Sequence, residues 1–440
     1  MAYRKIFREL ESKKILPCIF LCLAPIFLAG CATAKKPPVP GLPIETDGTN
    51  VTEESEAKTE ESEESIAEKL ARDLEIKRYN ETHFQDGTEI VTSKTAFDGR
   101  DTLLLTFGGD LMAHPALWRN GGFERIYEEI ESYVQESDFS FVNVETPVYD
   151  ARPYSGYPAF NVHHEYVDAA IKAGFNVFSL TNNHTNDQGF YGITATREYF
   201  RQKAEELKSS ERPIYYAGLK EQSNGPLTYQ VIKKNGWTIL FVAITELLNS
   251  SSNSSIIDYV PPNTSSRNSF VEKIKKLEQE NPADLFILSI HCSDPEYVFD
   301  IRSSQTAWYE RLLDIGADVI WVNHPHVAKD WELYPDEDNV PRKMIFHSMG
   351  NLVSKHETRN NTGEGFLTQV RFEKTDDGIR IVGINPILLT TYQTKDNHYV
   401  IRKLDGNFLG RLKNEDPYQL NFFTERKTFM KKISGKVKWQ

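Results

Sequence analysis

Thr102-Leu-Leu-Leu-Thr-Phe-Gly-Gly-Asp110 is a nearly continuous apolar run that breaks into two glycines and a carboxylate. A strand that is apolar on both faces belongs inside a parallel sheet covered on both sides, and it meets a functional loop at its carboxyl end. Runs of the same kind recur at 139–142, 177–181, 238–244, 285–290, 319–322 and 344–347. Helical spacing of apolar residues falls between many of them, over 123–134, 165–173, 191–207, 269–279 and 305–315. Strands alternating with helices give an α/β fold. Past Gly365 two alternating runs, 366–373 and 378–389, are joined by Asp376-Asp377-Gly378, which predicts an antiparallel hairpin closing the domain.

The polar residues fall at the strand ends, where open α/β sheets place ligands. Asp110 follows the first strand, Asn143 and Glu145 end the second, and Asn183 and His184 follow the third. His291 ends the fifth, and His324 and His326 follow the sixth. Taken singly, each reads equally well as a turn residue, a helix cap or a satisfied structural histidine. Together they carry chemistry. Carboxylates suit hard cations, imidazoles suit transition metals, and a mixed set with a bridging carboxylate is what a two-metal hydrolytic site requires.

The strings holding these residues resemble the poly-γ-glutamate capsule-synthesis (CapA-type) family, itself similar to calcineurin-type metallophosphoesterases. They are Gly109-Asp-Leu-Met112, Asp138-Phe-Ser-Phe-Val-Asn-Val-Glu-Thr-Pro147, Ala173-Gly-Phe-Asn-Val-Phe-Ser-Leu-Thr-Asn-Asn-His184, Ser289-Ile-His291, Gly316-Ala-Asp-Val-Ile-Trp-Val-Asn-His-Pro-His326 and His347-Ser-Met-Gly-Asn351. They cover about 103–389 in the family's order. The resemblance implies a four-layer αββα sandwich and two divalent ions, Mn, Fe or Zn. It places Asp110 on the first metal, Glu145 as the bridge, Asn183, His291 and His324 on the second, and His326 back on the first. His184 would protonate a leaving oxygen or hold an anion, a role suited to an imidazole's near-neutral titration. Met112 stands where phosphoesterases carry the histidine of an Asp-x-His string. Either His114 substitutes from the next turn of that loop, or the first metal is bound loosely or not at all. Asn143 is a further candidate for metal or substrate. Asn351 either orients a ligand histidine, touches substrate or makes a turn.

Other features read more plainly. His163 and His164 precede a helix as surface or capping residues, Asn249–Ser255 is a polar surface loop, and Cys292 is a buried strand residue rather than a nucleophile.

Basic residues at Arg4, Lys5, Arg8, Lys13 and Lys14 precede the apolar stretch 15–29 and Leu28-Ala-Gly-Cys31, the order of a secretory signal. An apolar stretch of about 15 residues is short for a bilayer span, which needs roughly 20. Leu-Ala-Gly-Cys resembles a bacterial lipobox, which implies removal of residues 1–30 and acylation of Cys31 as a membrane anchor in the cell envelope, facing outside the cytoplasm. Cys18 and Cys22 then leave with the signal and Cys292 is the one thiol of the folded domain, so no internal disulfide is expected. Residues 31–62 read as a disordered tether. Residues 63–98 form a linker with an amphipathic helix at 64–80, and the main domain runs over 99–392. Residues 393–440, basic and aromatic, read as a solvated extension.

A net charge of −12 without a sustained Lys/Arg patch excludes nucleic acid as a partner. The expected partners are an anionic polymer or its precursor, and polymer synthase or export proteins. Two functions remain: a metal-dependent hydrolase or transferase acting on a phosphoester or γ-amide of that polymer, and a non-catalytic accessory lipoprotein on a degraded phosphatase scaffold. A negative chain that handles a negative polymer must concentrate positive charge locally, which a dimetal centre does.

Overall fold

The computed structural model describes residues 90–91, 102–338, 340–355, 361–433 and 435–437. The signal, the Cys31 anchor, the tether and the 64–80 helix lie outside these residues.

Two sheets stack face to face. The first is built from β1 (Ile90–Val91), β2 (Thr102–Leu111), β3 (Phe139–Val144), β4 (Val177–Ser179) and β5 (Tyr215–Ala217). To these it adds β12 (Asn351–Val353), β13 (Glu364–Thr375), β14 (Gly378–Gln393) and β15 (Tyr399–Lys403), in the order β1-β14-β13-β2-β3-β4-β5 with β12 on β2 and β15 on β14. The second sheet contains β6 (Tyr229–Lys234), β7 (Trp237–Thr245), β8 (Leu285–His291), β9 (Val319–Asn323), β10 (Trp331–Pro335), β11 (Pro341–Phe346) and β16 (Gly435–Val437), in the order β16-β10-β11-β9-β8-β7-β6. Strands β2 to β5 run parallel, as do β7, β8, β9 and β11.

Strand periodicity sorts the side chains into layers. On β7, Ile239, Phe241 and Ala243 join Leu105, Phe107 and Phe141 in the core between the sheets, while Leu240, Val242 and Ile244 face the other way. That outer face is covered by α5 (Thr264–Glu280) and α6 (Ser303–Asp314) through Phe270, Ile274, Trp308 and Leu312. The outer face of the first sheet packs under α1 (Pro115–Trp118), α2 (Glu131–Glu136), α3 (His164–Lys172) and α4 (Gly189–Leu207) through Leu117, Val134, Tyr166 and Phe200. The fold is therefore the expected four-layer αββα sandwich.

A local device sets the parallel register. The residue just before a strand is Asp138, Asn176, Asp284 or Asp318, and its side chain accepts the backbone N–H of Leu104, Ser140, Thr238 or Phe286 on the neighbouring strand, at 2.8–2.9 Å. The same four residues donate their own backbone N–H to the carbonyls of those partners. Each pair closes a ring that pins one strand start to the next, satisfying backbone groups that would otherwise be orphaned.

Two expectations of the sequence reading are corrected by the structure. The helix expected over 123–134 is a 3-10 turn at Phe123–Ile126 followed by α2, although Ile126, Ile130 and Val134 still point inward. Glu124, Glu128 and Glu131 stand about a turn apart, and like charges at that spacing weaken a continuous helix. The tail from Lys395 onward is not a solvated extension. It adds β15 and β16 to the two sheets, and α7 (Gly406–Glu415) and α8 (Pro417–Met430) bury Phe408, Leu412, Phe423 and Met430 in the inter-sheet core. The Lys and Arg residues scattered through the segment hid that apolar face, and one of them, Lys427, is itself buried.

The two sheets are joined under the site. Trp321 on β9 donates its indole N–H to the Gly108 carbonyl on β2 at 3.0 Å. At Gly109 the chain passes so close to β12 that a Cβ would stand 1.9 Å from the Gly350 carbonyl oxygen, so only glycine fits.

Candidate metal centre

All the strand-end residues named above converge at the carboxyl ends of β2, β3, β4, β8 and β9, and all are buried. Asp110 is held at both oxygens: Asn143 Nδ2 donates to Oδ1 at 2.7 Å and the His324 backbone N–H to Oδ2 at 3.2 Å. His291 Nε2 lies 2.9 Å from Asn183 Oδ1, 3.1 Å from His324 Nδ1 and 3.8 Å from Glu145 Oε1. His326 faces Asp110 Oδ2 at 3.4 Å and Glu145 Oε1 at 3.5 Å.

These contacts sort into two donor groups, Asp110 with Glu145 and His326, and Glu145 with His291 and His324. Glu145 belongs to both. Four donors about 2.1 Å from one small cation stand roughly 3.4 Å from each other, and the donors here are spaced at about that distance. Asn183 reaches the second group through His291.

The electrostatics fit a cation as well. Both oxygens of Glu145 are buried and meet no hydrogen-bond donor among the described residues. Burial, then the nearby Asp110 carboxylate, pushes the Glu145 carboxyl well above its usual range. Burial and the neighbouring imidazoles hold His291 and His324 well below the usual histidine range, which keeps them neutral and their lone pairs available. His326 moves the other way: burial opposes its charge, but Asp110 draws it above its ordinary value. A buried carboxyl with no donor beside it among the described residues is costly to ionise unless a cation sits there.

The backbone supports the same spot. His324 and His326 have φ of 104° and 55°, a left-handed region that non-glycine residues seldom occupy and that clusters at functional sites. His326 Nδ1 lies 3.0 Å from Asn351 Oδ1, and Asn351 Nδ2 donates to the carbonyls of Thr362 and His326. Asn351 thus orients an imidazole at the centre.

His184 sits beside this cluster and outside both donor groups. Its Nδ1 is 2.6 Å from Asp187 Oδ2 and 3.2 Å from Asn249 Nδ2. Of the 249–255 loop, residues 249–252 are exposed as expected and 253–255 half-buried, and the loop folds onto the end of β4: Asn249 donates its backbone N–H to the Asn183 carbonyl, and Asn186 Nδ2 donates to Ser250 and Ser252. His114 takes the Lys355 backbone N–H on Nδ1 at 3.1 Å and belongs to neither donor group. Burial first, then His326, His184 and Lys355, lower it to about 3. Met112 is buried. His163 contacts the Arg152 carbonyl, and His164 pairs with Asp150 on the surface. Cys292 is fully buried, and burial raises its thiol far above the ordinary value.

Sequence reasoning missed Asp187, Asn249 and Glu296, the last of which groups with His324 and His326. Asp187 carried a usable signal, since it stands three residues after His184 in a turn.

The family model described as bacterial capsule synthesis protein PGA_cap matches residues 104–356. The capsule biosynthesis protein CapA of Bacillus anthracis is 26% identical over 329 residues, covering 72% of this chain and 74% of that protein. The PGA biosynthesis protein CapA of Bacillus subtilis (strain 168) is 24% identical over 348 residues, covering 74% and 86%. Among solved structures, the calcineurin-like phosphoesterase YfkN from Bacillus subtilis aligns over 74% of this chain and 99% of that chain, at 13% identity and a TM-score of 0.36.

Proposed function

Because this chain belongs to the bacterial capsule synthesis PGA_cap family, we propose that it is a cell-envelope protein with a dinuclear metal site that hydrolyses or transfers a bond in poly-γ-glutamate, a similar anionic capsule polymer, or its precursor. The observation that carries this reading is Glu145, a buried carboxylate with no donor on either oxygen among the described residues, shared by two groups of ligand atoms. The names of the Bacillus relatives, capsule and PGA biosynthesis, support the polymer.

In this reading Asp110, Glu145 and His326 hold one divalent ion and Glu145, Asn183, His291 and His324 the other, as Mn, Fe or Zn. When bound, such ions supply a water nucleophile at neutral pH and positive charge against an anionic substrate. Asp187 occupies Nδ1 of His184, which leaves Nε2 to give a proton to a leaving oxygen or amine or to hold an anionic oxygen. Asn143 and the His324 backbone N–H keep Asp110 aimed, and Asn351 does the same for His326.

Among the described residues no helix is long and apolar enough to cross a membrane. Membrane attachment in this reading comes from acylation of Cys31, and a polymer synthase or export protein is the partner it would meet there. The accessory role draws its support from Met112, a buried thioether where a hard-cation ligand would serve better.

The test is elemental analysis of the full chain purified without chelator, beside the Asp110→Asn, His324→Ala double variant. Near two equivalents of Mn, Fe or Zn, lost in the variant, are expected. No stoichiometric metal after reconstitution would leave the accessory role. His184→Ala is expected to lower polymer output in cells while the protein stays folded; unchanged output would remove catalysis from the proposal.

A further inference from the structure

The loop between β8 and α6 brings a carboxylate to the metal centre that lies at no strand end. Glu296 is half-buried, and one of its oxygens stands within 4.8 Å of ligand nitrogens on both His324 and His326. Its place is fixed. The Tyr297 backbone N–H donates to the Pro325 carbonyl at 2.9 Å, inside the His-Pro-His turn itself. The Tyr297 ring stacks on His326 with centroids 5.9 Å apart at 27°. Tyr297 has φ of 64°, so the loop holds a strained backbone to put Glu296 there. Two residues before Glu296, Asp294 is tied to Lys329 at 3.2 Å and to Arg302, which anchors the start of the loop.

The donor count explains what this carboxylate is for. The group around the first ion contains Asp110, Glu145 and His326, three donors, whereas divalent ions take four to six. Met112 offers only a soft sulfur, and His114 spends Nδ1 on a backbone N–H. Glu296 shares His326 with that group and His324 with the second, and forms a donor group with those two imidazoles. We propose that Glu296 is a metal ligand of this centre, acting with His326 and His324. The inference rests on the dinuclear reading above and is independent of which bond is cleaved. It gives the centre a third carboxylate beside its imidazoles, which shifts its preference toward Mn over Zn.

The probe is Mn alone, titrated into the metal-free full chain for wild type, Glu296→Ala and Glu296→Gln. Stoichiometry is read by dialysis with elemental analysis and the ions' mutual coupling by electron paramagnetic resonance. Wild type is expected to take two ions and show a coupled signal. Both variants should keep one, bind the other at least 10-fold more weakly, give the spectrum of isolated Mn, and melt like wild type without metal. Two ions of unchanged affinity in the variants would overturn the role of Glu296 and leave the dinuclear site standing. Loss of both ions from a variant with a wild-type melt would overturn it as well, since one terminal ligand serves one ion. Wild type taking no more than one ion would overturn the dinuclear reading and this inference with it.

Discussion

His184 Nδ1 lies 2.6 Å from Asp187 Oδ2, with each side chain only 5% exposed. Asp187 also accepts the Phe160 backbone N–H on the same oxygen at 2.8 Å, so its carboxylate cannot turn away from the imidazole. The pair fixes which nitrogen of His184 faces the centre, as carboxylates do for histidines that move protons.

Asp187→Asn keeps size and the backbone contact but can present an amide N–H to Nδ1 in place of an acceptor. Positioned general acids contribute about 10² to 10⁴-fold. The variant is expected to lose roughly 10²-fold in kcat on a chromogenic phosphoester, with its metal content unchanged. Unchanged kcat alongside unchanged metal would remove the acid role from His184.

Glu145→Gln separates the cost of the empty site from its use. In the metal-free fold burial and Asp110 raise the Glu145 carboxyl, so its contribution to stability is present at low pH and lost as pH rises through that raised value. At pH 8 the metal-free Gln variant is expected to be more stable than metal-free wild type by about 1–3 kcal/mol, the cost of an unsatisfied buried group. With Mn the order reverses: wild type gains about 2.7 kcal/mol at a hundredfold excess over its dissociation constant, and the variant gains little. Thermal melts with and without Mn read both signs, and a variant that gains as much from Mn as wild type would deny Glu145 a ligand's role.

The strand-end residues were legible because two local patterns coincide, an apolar run and a polar residue at its carboxyl end, as in Phe107-Gly-Gly-Asp110 or Ile290-His291. Asp138, Asp284 and Asp318 were equally visible just before strands, but their pairing with Leu104, Thr238 and Phe286 belongs to strand order, which periodicity does not carry. Glu296 was out of reach for another reason: it approaches His326 through a turn whose Tyr297 has positive φ, a conformation that this residue type does not announce. The short strands β5, β12 and β16 escaped because three residues are too few to show a period of two.

Glu364 gives the fold a pH dependence away from the donor groups. It is buried on β13, accepts from Thr390 Oγ1 at 3.3 Å on one oxygen, and has no hydrogen-bond partner on the other among the described residues. Burial, only partly offset by Arg426, raises its carboxyl from 4.5 to about 7. The folded state therefore holds its proton more tightly than the unfolded chain, and stability present below pH 4.5 is lost as pH rises through 7. A tenfold difference in proton affinity between the folded and unfolded chain is worth about 1.4 kcal/mol, so the ceiling is about 3 kcal/mol. Glu364→Gln is expected to match wild type at pH 5 to within about 1 kcal/mol and to exceed it by roughly 2 kcal/mol at pH 8, in urea midpoints taken at both. Equal pH dependence in the two proteins would show that Glu364 ionises in the fold as easily as in the unfolded chain.

Phe423 tests whether the C-terminal helices belong to the domain or merely lie on it. Its ring meets Phe408 at 5.2 Å and Tyr392 at 5.9 Å, so α7, α8 and β14 share one aromatic cluster that continues into the inter-sheet core. Truncating a buried phenylalanine removes its transfer free energy and leaves a cavity, a cost of about 3–5 kcal/mol. The metal centre is built by the ends of β2, β3, β4, β8 and β9, none of which this cluster supplies. Phe423→Ala is therefore expected to lower the unfolding free energy by that amount in urea while Mn stoichiometry and affinity stay at wild-type values. A loss below about 0.5 kcal/mol, the usual effect of a surface substitution, would return the segment to a peripheral tail.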